Sequence, residues 1–253
     1  MELQERARAL APLLGPTQRF SHVTAAMLHG MRMPDGRGTT ALHVTGVRVG
    51  RAVRRPGVIG HVTATPAATL RIGGLPVSTA VGAWCECAEL LPADDLIVMA
   101  DGLLERRRPP ATLDELAAAV AARAGRRGSA RLRRALPQVR AGTDSARETL
   151  LRLLVVRAGL PEPVVNAPLF RDGRVIARGD LVWPHAGVVL EYDGRHHAES
   201  PEQFAIDIRR LNDIAAAGYR VIRVDRRMMT SRRELLHRIT DALAARETTR
   251  IAT

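Results

Sequence analysis

Lysine is absent from this chain of 253 residues, so all 38 of its basic residues are arginine. The only strong cation available is therefore a planar guanidinium, which grips phosphate in a bidentate way. Cysteine is nearly absent too. The two present, Cys85 and Cys87 in AWCECAEL, have no second pair with which to complete a four-cysteine zinc site. They read as reduced, partly buried thiols. No apolar run approaches the ~18 residues of a membrane span, and MELQERARAL carries acids where a secretion signal needs a basic stretch. A soluble, cytoplasmic protein with no membrane partner is expected. Nothing repeats at a fixed period, which argues against a solenoid.

Positive charge is what the chain has in excess. Its formal charge is +12 and its pI about 11.4, which suits a polyanionic partner such as nucleic acid. The excess is uneven, with a net of +9 over residues 1–140 and +3 over residues 141–253. At ~100 to 200 residues per domain the length favours two domains. The boundary falls in PQVRAGTDS (137–145), which has turn-forming residues and no periodicity.

In residues 1–140, within RFSHVTAAMLHGM, Ser21 can cap a short helix from His22 to His29 that Gly30 ends. A short helix ahead of a turn suits a winged-helix or helix-turn-helix module. Short β-branched runs broken by Gly and Pro then predict a small sheet whose turn is crowded by Arg48, Arg51, Arg54 and Arg55. A capping box, Thr112 to Glu115, starts an alanine-rich helix that stops near Gly125, and SARLRRALPQ follows as a second short helix.

In residues 141–253, a second capping box, Ser145 to Glu148, opens an apolar helix that Gly159 closes. RVIARGDLVW and GVVLEYDG read as two strands joined by PHAG. A helix from Ser200 and Pro201, a buried strand YRVIRVD and a final amphipathic helix SRRELLHRITDALAAR complete the order. That order predicts an α/β (α+β) sandwich around a mixed sheet. Alternation along VVLEYD puts Glu191 and Asp193 on one face, about 6.6 Å apart at ~3.3 Å per residue. Asp180 comes alongside Glu191 if the hairpin pairs in the expected register. Oxygen ligands from two strands suit a hard cation such as Mg²⁺, the device that phosphodiester hydrolysis uses.

Asp180, ten intervening residues and then Glu191-Tyr192-Asp193-Gly194 followed by histidines resemble the restriction-endonuclease-like PD-(D/E)XK superfamily. The resemblance is to the branch that includes very-short-patch repair nucleases and their bacterial relatives. It extends through His197, Asp207, Arg210 and Gly218 and covers about residues 141–246. It implies a restriction-endonuclease-like mixed sheet flanked by helices and a metal-dependent DNA endonuclease. Asp180 and Glu191 would hold Mg²⁺ or Mn²⁺, with Asp193 and Glu148 in support, and Arg210 would steady a phosphate. Asp193 stands where that superfamily usually has lysine. His197, with His196 beside it, would then orient or deprotonate the attacking water. Each of these residues also has a plain structural reading: Glu148 in its capping box, Asp193 in the turn at Gly194, Arg210 paired to an acid on its own helix.

RFSHVTAAMLHGM, the basic β segment and GLPVSTAVGAWCECAELLPADDLIVMADGLL are similar to the AbiEi-type antitoxin and transcriptional-regulator architecture over about residues 5–135. That resemblance implies a winged-helix-like α+β domain, DNA binding, and a possible toxin or other protein partner. The leading expectation is an endonuclease domain delivered to DNA by a basic module. The alternative is an antitoxin-like regulator whose nuclease-like domain is inactive.

Overall fold

The computed structural model describes residues 2–47, 52–193 and 201–251. The chain divides at Ala141 into two units, Met1–Ala141 and Gly142–Thr253. The division falls inside the turn-rich stretch 137–145. Both units mix helices and strands, and the class is α+β.

The first unit begins with α1 (Leu3–Leu10), opened by a capping box between Glu2 and Glu5. It continues through β1 (Arg19–Phe20), α2 (His22–Leu28), β2 (Leu42–Val47), β3 (Arg54–Arg55), β4 (Val58–Thr63), β5 (Thr69–Ile72) and β6 (Leu75–Ser78). Four helices follow: α3 (Ala80–Cys87), α4 (Ala93–Leu103), α5 (Leu113–Ala122) and α6 (Ser129–Ala135). The predicted small sheet has six strands among the described residues, in the order β3-β4-β2-β1-β6-β5. β2 runs parallel to β4 and β1 parallel to β6, so the sheet is mixed. Phe20, Val44, Val77 and Ala83 meet in its core. The Thr112–Glu115 box forms in both directions at the start of α5. α2 is a core helix: six of its seven residues are buried, which removes it as a surface for a DNA groove. Cys85 and Cys87 are more deeply enclosed than expected, and burial raises both thiols, Cys85 to about 11, so they stay protonated.

The second unit runs α7 (Ala146–Arg157), β7 (Val164–Arg171), β8 (Arg174–Trp183), β9 (Val188–Tyr192), α8 (Pro201–Ala216), β10 (Arg220–Val224), α9 (Arg226–Thr230) and α10 (Arg232–Ile251). β7, β8 and β9 form an antiparallel meander, and β10 joins β9 in parallel, giving the order β10-β9-β8-β7. β7 is a strand the sequence reading left out. Asp172 and Gly173, at φ 49° and 75°, make the tight turn that pairs it with β8, a geometry Asp-Gly suits. β10 is less buried than its apolar sequence suggests because it lies at the sheet edge, and only Val224 is enclosed.

Two apolar layers cover this sheet. Leu151, Leu181, Trp183, Leu190, Leu235 and Ile239 form one, from α7 and α10, while Ala167, Leu169, Val182, Val189 and Ile214 form the other, against α8. Along β8, Ala177 packs with the α8 layer but Leu181 and Trp183 with the opposite one, so side-chain alternation inverts across Asp180. On the neighbouring strand Asn166 sits at φ 46°, a left-handed conformation unusual within a strand. Such breaks re-aim side chains and often lie beside sites. Gly179, just before the break, is fixed by packing: a Cβ there would stand 2.5 Å from Val189 Cγ1 and 2.9 Å from Val182 Cγ2. Gly179→Ala is therefore expected to destabilise the second unit by about 1 to 3 kcal/mol, read from the shift of its urea midpoint. An unchanged midpoint would show that the two valines can yield.

Candidate carboxylate site and a histidine cluster

The acids singled out in the sequence come from three elements. At the start of α7, Ser145 accepts the Glu148 N–H at 3.1 Å, as half of a capping box requires. The return half is absent. The buried Glu148 carboxylate instead accepts the Asp144 N–H at 2.7 Å and the Asn166 side-chain amide at 2.8 Å. Asn166 also donates to the Gly142 carbonyl at 2.8 Å, tying β7 to the approach of α7. Asp180, on β8, accepts the Tyr192 N–H of β9 at 2.8 Å. The register of the two strands runs from Trp183 opposite Val188 to Leu181 opposite Leu190, and the Tyr192 hydrogen bond holds Asp180 against the end of β9. Burial, then the charge of Glu148 and that of Glu191, pushes the Asp180 carboxyl up to about 7, against the Tyr192 hydrogen bond and Arg210.

Arginines balance part of this charge. Arg210, on α8, grips Glu191 with both ends of its fork, Nη1 to Oε1 at 2.8 Å and Nη2 to Oε2 at 2.7 Å. The sequence reading paired Arg210 with phosphate or with an acid of its own helix; it reaches across to the strand instead, and Glu191 is the partner that holds it charged. Asp193 is bonded to Arg223 of β10. Arg178 donates to the Asn166 carbonyl at 2.5 Å, and the Arg147 guanidinium lies 5.9 Å from the centre of the Tyr192 ring. The charges of Glu148 and Glu191 thus act on Asp180, and Arg210 bonds Glu191, but among the described residues the three carboxylates do not form a group whose ligand atoms all lie within 4.8 Å of one another. Asp193 is held by its own arginine. His196 and His197 lie outside the described residues. So do Arg48 and Arg51. Arg54 and Arg55 form the exposed strand β3 at the edge of the first unit's sheet.

A second cluster went unnoticed in the sequence. His22, His43 and His61 each offer a ring nitrogen, and these atoms all lie within 4.8 Å of one another. His43 Nδ1 and His61 Nε2 are 2.9 Å apart, and the His22 and His61 rings stack with centroids at 3.7 Å. Burial first, then its two histidine neighbours and nearby arginines, lowers His22 to about 2; burial and His61 lower His43 to about 4. His61 is also lowered, again chiefly by burial. A signal was present: the tripeptide His-Val-Thr occurs at 22–24, 43–45 and 61–63, and its three histidines are the three that meet. The spacing is irregular, so no search for a fixed period finds it.

The second unit is thus defined as a mixed-sheet α+β domain with a buried, acid-rich site at the junction of β8, β9, α7 and α8. In sequence, the chain is similar to two uncharacterized proteins of Mycobacterium tuberculosis, from strains CDC 1551 / Oshkosh and ATCC 25618 / H37Rv. Each is 28% identical over 223 residues, 87% of this chain and 79% of the relative. That share exceeds the length of either unit, so the similarity runs through both. No protein-family model and no solved structure matches the chain.

Proposed function

We propose that the second unit is a Mg²⁺-dependent DNA endonuclease domain, working in a chain whose arginine-rich surface favours nucleic acid. The observation that carries this reading is that Asp180 lies within electrostatic reach of both Glu148 and Glu191, with Arg210 bonded to Glu191. The oxygens of these acids are the hard donors a divalent cation takes, and the Asp180 carboxyl, raised first by its burial and then by the charge of Glu148, is one whose ionised form such a cation would stabilise. Asp180 and Glu191 would hold the ion, with Glu148 behind them. A bound Mg²⁺ supplies Lewis-acid polarisation of the phosphoryl oxygen and a more acidic water.

The chain's own residues do the rest. His197, with His196 next to it, takes the proton of the attacking water as its oxygen bonds to phosphorus and the ester P–O bond breaks; solvent protonates the leaving oxygen. Arg210, which here bonds both oxygens of Glu191, would hold a phosphate oxygen if Glu191 served as a ligand of the ion. The test is incubation of the full-length chain with supercoiled and linear DNA, with Mg²⁺, Mn²⁺ or EDTA. Nicking or cleavage with metal is expected, falling to background in Asp180→Ala and Glu191→Ala. Variants that cut like the wild type would sink the proposal.

One observation favours a second reading. Arg210 occupies both oxygens of Glu191, as it would in a domain kept for its fold by an antitoxin-like DNA-binding regulator. On that reading the same protein shifts DNA in a salt-sensitive way and cuts none of it with either metal.

A further inference from the structure

The histidine cluster belongs to the first unit, whereas every residue assigned to phosphodiester chemistry belongs to the second. Its rings come from two kinds of element. His43 and His61 project from the same face of the parallel pair β2 and β4, where His43 is opposite Ile59 and Thr45 opposite His61. His22 is the first residue of α2 and sits at φ 50°, a conformation that costs a β-carbon residue roughly 1 to 3 kcal/mol. Glu86 holds it there by accepting its N–H at 3.1 Å, and Arg19 in turn anchors Glu86 at 2.8 Å. Strain of this kind persists only where the surroundings impose it, and here the surroundings aim a side chain at two other histidines.

The nitrogen atoms are prepared unequally. His22 Nδ1 is 3.0 Å from Ser21 Oγ, a hydroxyl that also accepts from Thr45 at 2.7 Å. With Nδ1 bonded to a fixed hydroxyl, the remaining nitrogen is the ligand, which is how metal-bound imidazoles are normally oriented. That nitrogen, Nε2, is buried and has no hydrogen-bond partner among the described residues, although His22 is only 2% exposed. A buried ring nitrogen left unbonded is costly. His43 Nδ1 and His61 Nε2, facing each other at 2.9 Å, share a single proton when neutral.

We propose that His22, His43 and His61 form a binding site for a transition-metal ion, Zn²⁺ foremost, with three imidazole nitrogens as ligands and a fourth position open to solvent on the side of His61. Imidazole suits zinc, copper, nickel and iron rather than Mg²⁺. Tetrahedral Zn–N bonds of ~2.05 Å set ligand nitrogens about 3.3 Å apart. The His43–His61 pair needs to open by a few tenths of an ångström, and the His22 ring must tilt from its stack. His61, the half-buried member, provides the way in. The ion replaces the shared proton, satisfies the orphaned Nε2 and draws on the buried charge of Glu86 behind the cluster. Arg123 and Arg127, whose charges reach His22 and His61, suit an anion such as hydroxide in the fourth position.

The test uses the full-length chain, stripped with EDTA, dialysed against Zn²⁺ and measured by plasma mass spectrometry. About one equivalent is expected to remain in the wild type and in Asp180→Ala, and to be lost in His61→Gln and His43→Gln. Ser21→Ala, which removes the partner of the His22 ring together with the acceptor of the Thr45 hydroxyl, should weaken binding roughly 10- to 100-fold. Because a histidine variant could fail to fold, X-ray absorption at the zinc edge of the wild type gives a second measurement, in which an imidazole shell supports the site. A wild type that binds no zinc, a shell of oxygen alone, or equal retention by His61→Gln overturns it.

Discussion

Asp180→Asn is expected to make the second unit more stable while ending its proposed chemistry. The folded protein holds this carboxyl near 7 against an ordinary value of 3.8, chiefly through burial and then through the charge of Glu148. A raised acid pKa means that ionising the group works against folding. The penalty is absent below about pH 4, grows as pH rises towards 7, and is complete above it. The size of the shift puts it at roughly 2 to 4 kcal/mol, the upper figure being the full shift at about 1.4 kcal/mol per pH unit. Asparagine keeps an oxygen for the Tyr192 N–H and carries no charge. In EDTA, urea midpoints of the wild type and Asp180→Asn should therefore coincide near pH 4 and separate in favour of the variant by pH 8. Mg²⁺ should close the gap by stabilising the wild type alone, and cleavage by the variant should be at background. A variant no more stable at pH 8 would show that Asp180 is ionised without strain.

The second large effect lies in the first unit. Arg19 and Glu86 form a pair whose side chains are 4% and 9% exposed, and Arg19 Nε also donates to Ser78 Oγ at 2.8 Å. Removing one member of a buried pair leaves the other charged without compensation, at about 3 to 5 kcal/mol. Arg19→Ala should reach that range, measured by native-state hydrogen exchange of the β1, β2 and β6 amides. The double variant Arg19→Met, Glu86→Leu should recover part of the loss, the remainder being the buried His22 N–H left without its acceptor. That contrast matters because apolar side chains of similar volume can replace a buried ion pair, whereas half a pair cannot stand alone. A loss under 1 kcal/mol in Arg19→Ala would mean that water reaches Glu86.

Much of the second unit was legible because its cues are local. The β8–β9 hairpin, the helix after it and the position of Asp180 against the end of β9 follow from alternation and a short turn. β7 escaped although Asp172-Gly173 marks its turn, because Pro168 and Asn166 interrupt the apolar run that would signal a strand. The grip of Arg210 on Glu191 could not be read, since it depends on how α8 docks over the sheet rather than on any spacing along the chain. In the first unit, capping at Thr112 was visible and the six-stranded sheet was foreshadowed. The meeting of His22, His43 and His61 was not, because it requires one helix start and two parallel strands to be assembled first. Even the repeated His-Val-Thr acquires meaning only from that assembly.

The parallel pairings of the first unit also bear on how fast the two halves of the chain mature. Phe20 pairs with Val77 and Val44 with Gly60, so the sheet cannot close until distant segments have met, whereas the β7–β8–β9 meander closes through adjacent turns. Non-local pairing slows folding. On refolding from urea, the β7–β8–β9 meander should appear first, and the three imidazoles should come within reach of one another only in the late phase. Zinc added at the start would then meet a chain still without its cluster, and the rise of a cobalt–imidazole colour would time the last step of assembly.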